Sequence, residues 1–260
     1  MNDKVALGLP IITREPTWGL FKSLIDMNWP GGRRGPSALT REWGLPVDEA
    51  RNELCRWFLE ETDCDWLLQV DHDAVLHRNT VLRLHSWNKP IVAALAFVRM
   101  RPVQPAVITM VNESGQYQWA TERVRDWINE HRLWRAGHEP AIIEPPPEDA
   151  LHSLNQPPGY SGMHCVLMRR DALEQIKRPW FQRLKTCVGE DRYFFTKAVT
   201  SGVEAYVDLS CIAGHQYGEQ SLGVLDFMAF DALTEKLMAS ARRSIAAERE
   251  AGKAGPEGSE

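Results

Sequence analysis

Two Asp-x-Asp triplets lie within eleven residues, Asp63-Cys64-Asp65 and Asp71-His72-Asp73. Paired carboxylates at this spacing can hold a divalent cation or divide acid and base roles. They can equally be turns or helix caps. A second acidic feature, Gly189-Glu190-Asp191, precedes the aromatic run Tyr193-Phe194-Phe195. Adjacent acids suit a helix start, where negative charge meets the positive end of the dipole. They also suit proton transfer, because like charges raise one carboxylate's pKa toward a useful range. The third feature is Gly214-His215. Its imidazole is a surface group, a satisfied core group or a metal ligand.

Position separates these readings. Val5 to Ile12, Trp66 to Val70, Ile91 to Val98, Ala106 to Val111, Cys165 to Met168 and Glu204 to Leu209 are apolar, β-prone runs. Between the first two, Val47, Ala50, Leu54, Trp57 and Phe58 step by three and four, which predicts a helix that Asp48 can cap. Asn79 is placed to cap another helix carrying Val81, Leu82 and Leu84. Strands alternating with helices predict an α/β fold with a largely parallel sheet. In such sheets ligands bind beyond the carboxyl ends of the strands. Asp63 and Asp65 precede the strand Trp66–Val70, so they read as a solvated turn. Asp71 and Asp73 follow it, and a turn between them would let both carboxylates converge.

The chain has 260 residues, 43% of them hydrophobic, enough for one large core without disulfide staples. Lys plus Arg is 30 against 35 Asp plus Glu, a net charge of −5, which argues against phosphate-driven wrapping of nucleic acid. Cys55, Cys64, Cys165, Cys187 and Cys211 form no Cys-x-x-Cys pair, so a reducing, cytoplasmic setting is expected. No run approaches ~20 apolar residues, so no membrane span is expected. Three segments interrupt the alternation. Pro30 to Pro36, with three glycines and two arginines, suits a flap that closes on an anionic ligand. Asn112 to Tyr160 is polar and proline-rich. The last ten residues are Gly, Ala and charge, and read as a disordered tail. Before them, Phe227, Phe230, Leu233, Leu237, Ala241 and Ile245 keep helical spacing.

Taken in order, an acidic pair after a strand, then Glu-Asp, then Gly-His after a late strand resembles the GT-A-type nucleotide-sugar glycosyltransferases. Pro10 ends the first strand as in these enzymes, with Thr13 and Arg14 where the nucleotide base lies. Ala50-Arg51-Asn52 is similar to the Ala-Arg-Asn opening the helix before the acidic motif. The run Asp65 to Asp73 resembles that motif's segment. Gly162 to Asp171, followed by Pro179-Trp180-Phe181, resembles the segment before Glu-Asp. The resemblance spans residues 4 to 217. Where the family often has a small glycine-rich turn, this chain reads Ser161-Gly162-Met163-His164. It has no Gln-x-x-Arg-Trp motif, which argues against polymerisation.

The resemblance implies a GT-A fold: a mixed, mainly parallel sheet flanked by helices, with a C-terminal helix. Residues 1–225 would be one catalytic domain, with a nucleotide-sugar half (1–111) and an acceptor and metal half (112–225). Residues 226–250 would form the final helix and 251–260 the tail. It assigns Pro10, Thr13, Arg14, Arg51, Asp71, His72 and Asp73 to the donor, a UDP- or GDP-sugar. Asp73, His215 and Asp71 go to a divalent cation, for which mixed oxygen and nitrogen ligands favour Mn²⁺ over Mg²⁺. Asp191 would be the base of an inverting transfer and Glu190 would position the acceptor: a glycan, a protein or a modified DNA base. Arg33-Arg34, Arg123, Arg125, Arg132, Arg135, Lys177-Arg178, Arg183 and Lys185 offer contacts to a DNA acceptor, but read more simply as solvated faces. Two other functions fit the same residues. One is a nucleotidyltransferase, which would release pyrophosphate. The other is a catalytically degenerate, carbohydrate-binding adaptor.

Overall fold

The computed structural model describes residues 3–11, 15–39, 45–99, 103–111, 117–137, 139–155, 159–184, 189–217 and 220–229, with 236 and 243. In chain order the elements are β1 (Val5–Leu9), α1 (Trp18–Asp26), β2 (Ser37–Leu39), α2 (Val47–Glu61), β3 (Trp66–Val70), β4 (Ala74–Val75), α3 (Thr80–Ser86) and β5 (Ile91–Leu95). Then come β6 (Val107–Val111), β7 (Tyr117–Trp119), α4 (Thr121–Glu130), β8 (Ala141–Ile142), β9 (Leu151–Ser153) and β10 (Tyr160–Ser161). The chain continues with β11 (Cys165–Arg169), α5 (Arg170–Gln175), α6 (Glu190–Thr200), β12 (Ala205–Ile212), β13 (Gly214–Tyr217) and β14 (Gln220–Leu222).

The central sheet runs β2-β1-β3-β11-β5-β12-β8, with β9 also paired to β12. Strands β2, β1, β3, β5 and β12 point the same way, and β11, β8 and β9 are reversed. This is the largely parallel α/β sheet that the alternation predicts, and the mixed sheet with flanking helices that the resemblance implies. Its central strands β1, β3, β11, β5 and β12 are buried on both faces, so period-2 alternation sorts their side chains into two cores rather than core and solvent. Ala6, Leu67, Ala93, Val166 and Met168 face one cluster with Phe58, Phe181, Phe194 and Phe195. Leu7, Leu68, Val92 and Leu167 face the other, with Leu20, Val81 and Leu84 of α1 and α3. Burying each Val, Leu, Met or Phe side chain among them is worth about 1.5–3 kcal/mol.

Several local expectations change. The first strand ends at Leu9, and the fourth run forms β6 of a separate antiparallel sheet, β10-β6-β7. Asp48 does not cap α2. Pro46 holds the cap position and Asp48 lies in the first turn, where its Oδ2 accepts from the Arg183 N–H at 3.0 Å. Asn79 does precede α3, but its side chain bonds Asn28 and Glu144 instead of the helix. The loop at Pro30–Pro36 is not placed to close on a ligand beyond the strand ends. Gly35 N donates to Val5 O at 2.9 Å, at the amino end of β1, opposite the edge where Asp71 and Asp73 emerge. A Cβ at Gly35 would lie 2.7 Å from that carbonyl and 2.9 Å from Cys64 Sγ, so glycine permits this fastening. Residues 224–229 are helical; most of the expected 226–250 helix, and the 251–260 tail, fall outside the described residues. Four cysteines are buried and unpaired, and Cys187 falls outside the described residues. Among the described residues no helix is long and apolar enough to cross a membrane.

Candidate functional site

Three structural devices bring the polar side chains to one edge of the sheet. The first is a tight turn after β3. Ala74 N donates to Asp71 O at 3.2 Å, which folds Asp71-His72-Asp73 back on itself. The second is the reversal of β11. Cys165 pairs with Val70, so the residue before β11 sits beside the residue after β3, and Asp71 N donates to His164 O at 3.0 Å. The third is the small sheet β14-β13-β4, in which His215 pairs with Ala74.

The two acids and two histidines then meet. Asp73 is 3% exposed. Its Oδ2 lies 3.3 Å from His215 Nε2, 2.9 Å from Arg99 Nη1 and 3.8 Å from His72 Nε2. His164 Nδ1 faces both carboxylates, 3.7 Å from Asp71 Oδ2 and 4.0 Å from Asp73 Oδ1. The His164 and His215 ring centroids are 4.3 Å apart.

Backbone carbonyls fix which nitrogen of each ring carries its proton. His164 Nε2 lies 2.9 Å from Gly214 O, and His215 Nδ1 lies 3.0 Å from Phe97 O. A carbonyl only accepts, so these nitrogens donate. In the neutral rings the lone pairs then sit on His164 Nδ1 and His215 Nε2, facing carboxylate oxygens. The buried His164 Nδ1 makes no hydrogen bond. Lone pairs aimed at anions call for a shared cation, either a proton or a metal ion. Ligand atoms of Asp73, His164 and His215 all lie within 4.8 Å of one another, so these three residues could hold a metal ion. A backbone-anchored imidazole is also the usual metal-ligand arrangement. A Cβ at Gly214 would press on Ser221 Oγ, so a side chain there would need Ser221 to turn aside.

The ionisation of the cluster follows the same geometry. Burial lowers the His215 pKa, the His164 charge lowers it further, and Asp73 opposes. Burial also acts to lower His164, but the Asp71 carboxylate, the Gly214 carbonyl and Asp73 outweigh it, so its pKa is raised. Asp73 is lowered despite burial, by His215 and His164. Burial acts to raise Asp71 as well, yet Arg51 and His164 hold it well below the usual carboxylate range.

Arg51 joins this cluster to the second acidic motif. Its side chain is 4% exposed; Nη2 donates to Asp71 Oδ1 at 2.8 Å, and Nε lies 3.6 Å from Glu190 Oε1. Gln69, a polar residue inside β3, fixes the helix behind it by donating to Arg51 O and Cys55 Sγ, each at 3.3 Å. Asn52 accepts from the N–H groups of Trp180 and Phe181 at 2.9 and 3.1 Å and donates to Phe181 O. The Ala-Arg-Asn run is thus a set of clamps between α2 and the site. Glu190 and Asp191 occupy the first turn of α6, as a helix start predicts. Burial and then Glu190 push Asp191 up to about 6, against the Arg192 N–H and Arg51.

The sequence-predicted residues therefore divide. Asp71, His72, Asp73 and His215 come together, with Arg51 and Glu190 linked to them. Pro10 is buried directly after β1, and Thr13 and Arg14 fall outside the described residues. Asp71 Oδ1 is engaged by Arg51, which leaves Oδ2 toward His164. Sequence reasoning missed His164 and Arg99. A reversed strand brings its beginning, not its end, to the ligand edge, so the residue before Cys165 was the signal. Asp63 pairs with Lys4 at 2.8 Å, largely exposed, as a solvated turn should, but Asp65 is half-buried and its Oδ2 is enclosed without a hydrogen-bond partner. Glu130, His131 and Asp149 form a second group with ligand atoms in reach, but both acids are exposed.

No protein-family profile and no curated protein matches this chain. Solved structures do. The A197 protein from STIV is 18% identical with a TM-score of 0.48, covering 86% of this chain and 90% of that one. GalNAc-T7, crystallised with UDP, GalNAc and Mn²⁺, is 13% identical with a TM-score of 0.48 and covers 82% of this chain. TarS residues 1–349 from S. aureus is 12% identical with a TM-score of 0.42 and covers 80%. This chain spans 43% of the GalNAc-T7 chain and 58% of the TarS chain.

Proposed function

We propose that this chain is a metal-dependent glycosyltransferase that moves a sugar from a UDP- or GDP-sugar to an acceptor hydroxyl, with inversion at the anomeric carbon. One observation carries the reading. The buried Asp73 carboxylate faces the lone-pair nitrogens of two carbonyl-anchored histidines at the ligand edge of the sheet, and Arg51 ties that edge to Glu190, which precedes Asp191 in the first turn of α6. Asp73, His164 and His215 fit a divalent cation, and the orphaned His164 Nδ1 is what such an ion would satisfy. Two nitrogen ligands and one oxygen favour Mn²⁺ over Mg²⁺, which prefers oxygen and water. When bound, the ion neutralises the charge that grows on the departing diphosphate.

The chain's own residues supply the rest. Asp191 takes the acceptor proton as the new bond forms, and its raised pKa suits a base that works near neutral pH. Glu190 orients the acceptor. Arg51 is too enclosed to meet a donor directly; it holds Asp71 and Glu190 in register, so donor and acceptor sides share one buried cation. A single displacement then needs no enzymic nucleophile. The test is a panel of nucleotide sugars incubated with Mn²⁺, followed by nucleotide release and product configuration. An inverted product with EDTA-sensitive release of a nucleoside mono- or diphosphate is expected. Pyrophosphate release from nucleoside triphosphates instead would replace this reading with a nucleotidyltransferase.

A further inference from the structure

Asp73 is nearly enclosed, and a buried carboxylate needs a cation. Besides the neighbouring histidines, the cation that meets it is Arg99, whose Nη1 lies 2.9 Å from Asp73 Oδ2. That is the same oxygen that faces His215 Nε2 at 3.3 Å. The guanidinium thus holds one oxygen of the carboxylate that the three-residue metal site would use. Arg99 differs from the rest of the cluster in being 38% exposed. Its backbone neighbourhood is held independently of its side chain: Val98 N donates to Gln104 O at 2.9 Å, and Phe97 bridges to Pro105. The side chain can leave Asp73 without disturbing the strand end.

We propose that Arg99 is the resident counter-cation of Asp73, which the divalent ion must displace, and that the displaced guanidinium then binds the diphosphate of the donor. This rests on the metal-centre reading above. Exchange of one cation for another keeps Asp73 neutralised at every stage. It also couples the two ligands: the ion frees Arg99, and a planar guanidinium with paired donors matches a phosphate group. By reciprocity, an anion that holds Arg99 away from Asp73 tightens metal binding.

The experiment measures Mn²⁺ binding to the full chain without any donor, by electron paramagnetic resonance of the free ion. Wild type, Arg99→Gln and Arg99→Lys are compared, with circular dichroism confirming the fold. Arg99→Gln should bind Mn²⁺ about 5- to 10-fold more tightly than wild type, with Arg99→Lys nearer to wild type. With Mn²⁺ saturating, inorganic pyrophosphate should bind wild type about 5-fold more tightly than Arg99→Gln. Equal or weaker Mn²⁺ affinity in Arg99→Gln would overturn the displacement while leaving the metal centre standing. Equal pyrophosphate affinity would overturn the role of the freed guanidinium. Absence of Mn²⁺ binding to every variant would instead remove the metal centre and this inference with it.

Discussion

The two Asp-x-Asp triplets stand at opposite ends of β3, and the same pattern has two fates. At the amino end, Asp63 points into solvent and pairs with Lys4, its side chain 72% exposed. At the carboxyl end, Asp73 is almost wholly enclosed and faces Arg99, His215 and His164. Asp71 is held beside it by Arg51 and faces His164. Only the five residues of β3 separate the two triplets. The difference comes from sheet polarity: crossover helices deliver loops and partner residues to the carboxyl edge, and the turn after β3 adds the convergence. An acidic triplet therefore acquires chemistry from what the sheet brings opposite it.

That contrast can be broken or sharpened by substitution. The largest effect is expected from Asp73→Asn, which removes the central charge while keeping shape; turnover should fall at least about 10³-fold and Mn²⁺ binding should be lost. Next comes Asp191→Asn, which should lower turnover about 10²-fold with donor affinity nearly unchanged, as steady-state kinetics would read. The wild-type pH profile sharpens this assignment. Asp191 keeps its proton up to about 6, so the base form grows as pH rises through that value, and turnover should rise with it. This limb should vanish in Asp191→Asn. His164→Gln should weaken Mn²⁺ binding about 10- to 100-fold. The smallest effect belongs to the other end of the strand: Asp63→Asn with Asp65→Asn should leave both turnover and Mn²⁺ affinity unchanged.

Much of this was legible in the sequence, for identifiable reasons. Apolar runs such as Trp66–Val70 and Ile91–Leu95 mark strands buried on both faces, and the three-and-four spacing from Val47 to Phe58 marks α2. The rule that ligands sit beyond strand ends picks Asp71 and Asp73 over Asp63 and Asp65, while His215 enters through the resemblance. What escaped was direction and enclosure. Nothing in Cys165-Val166-Leu167-Met168 says that β11 runs against its neighbours, so His164 reads as part of a preceding turn. Arg51 is a donor contact by the resemblance alone, since nothing in the sequence around it signals burial. Its burial depends on Asp71 and Glu190 arriving from 20 and 139 residues away along the chain. The Pro30–Pro36 loop has a composition that suits a flap, yet backbone bonds from Gly35 N to Val5 O and from Leu7 N to Pro36 O fasten it along β1, toward the far edge.

The most direct measurement is the binding of Mn²⁺ to the full chain, by equilibrium titration of wild type, Asp73→Asn and the Asp63→Asn/Asp65→Asn double variant. The account predicts one ion bound by wild type and by the double variant with equal affinity, and none by Asp73→Asn. Mn²⁺ binding that survives Asp73→Asn, or that disappears in the double variant, would contradict it.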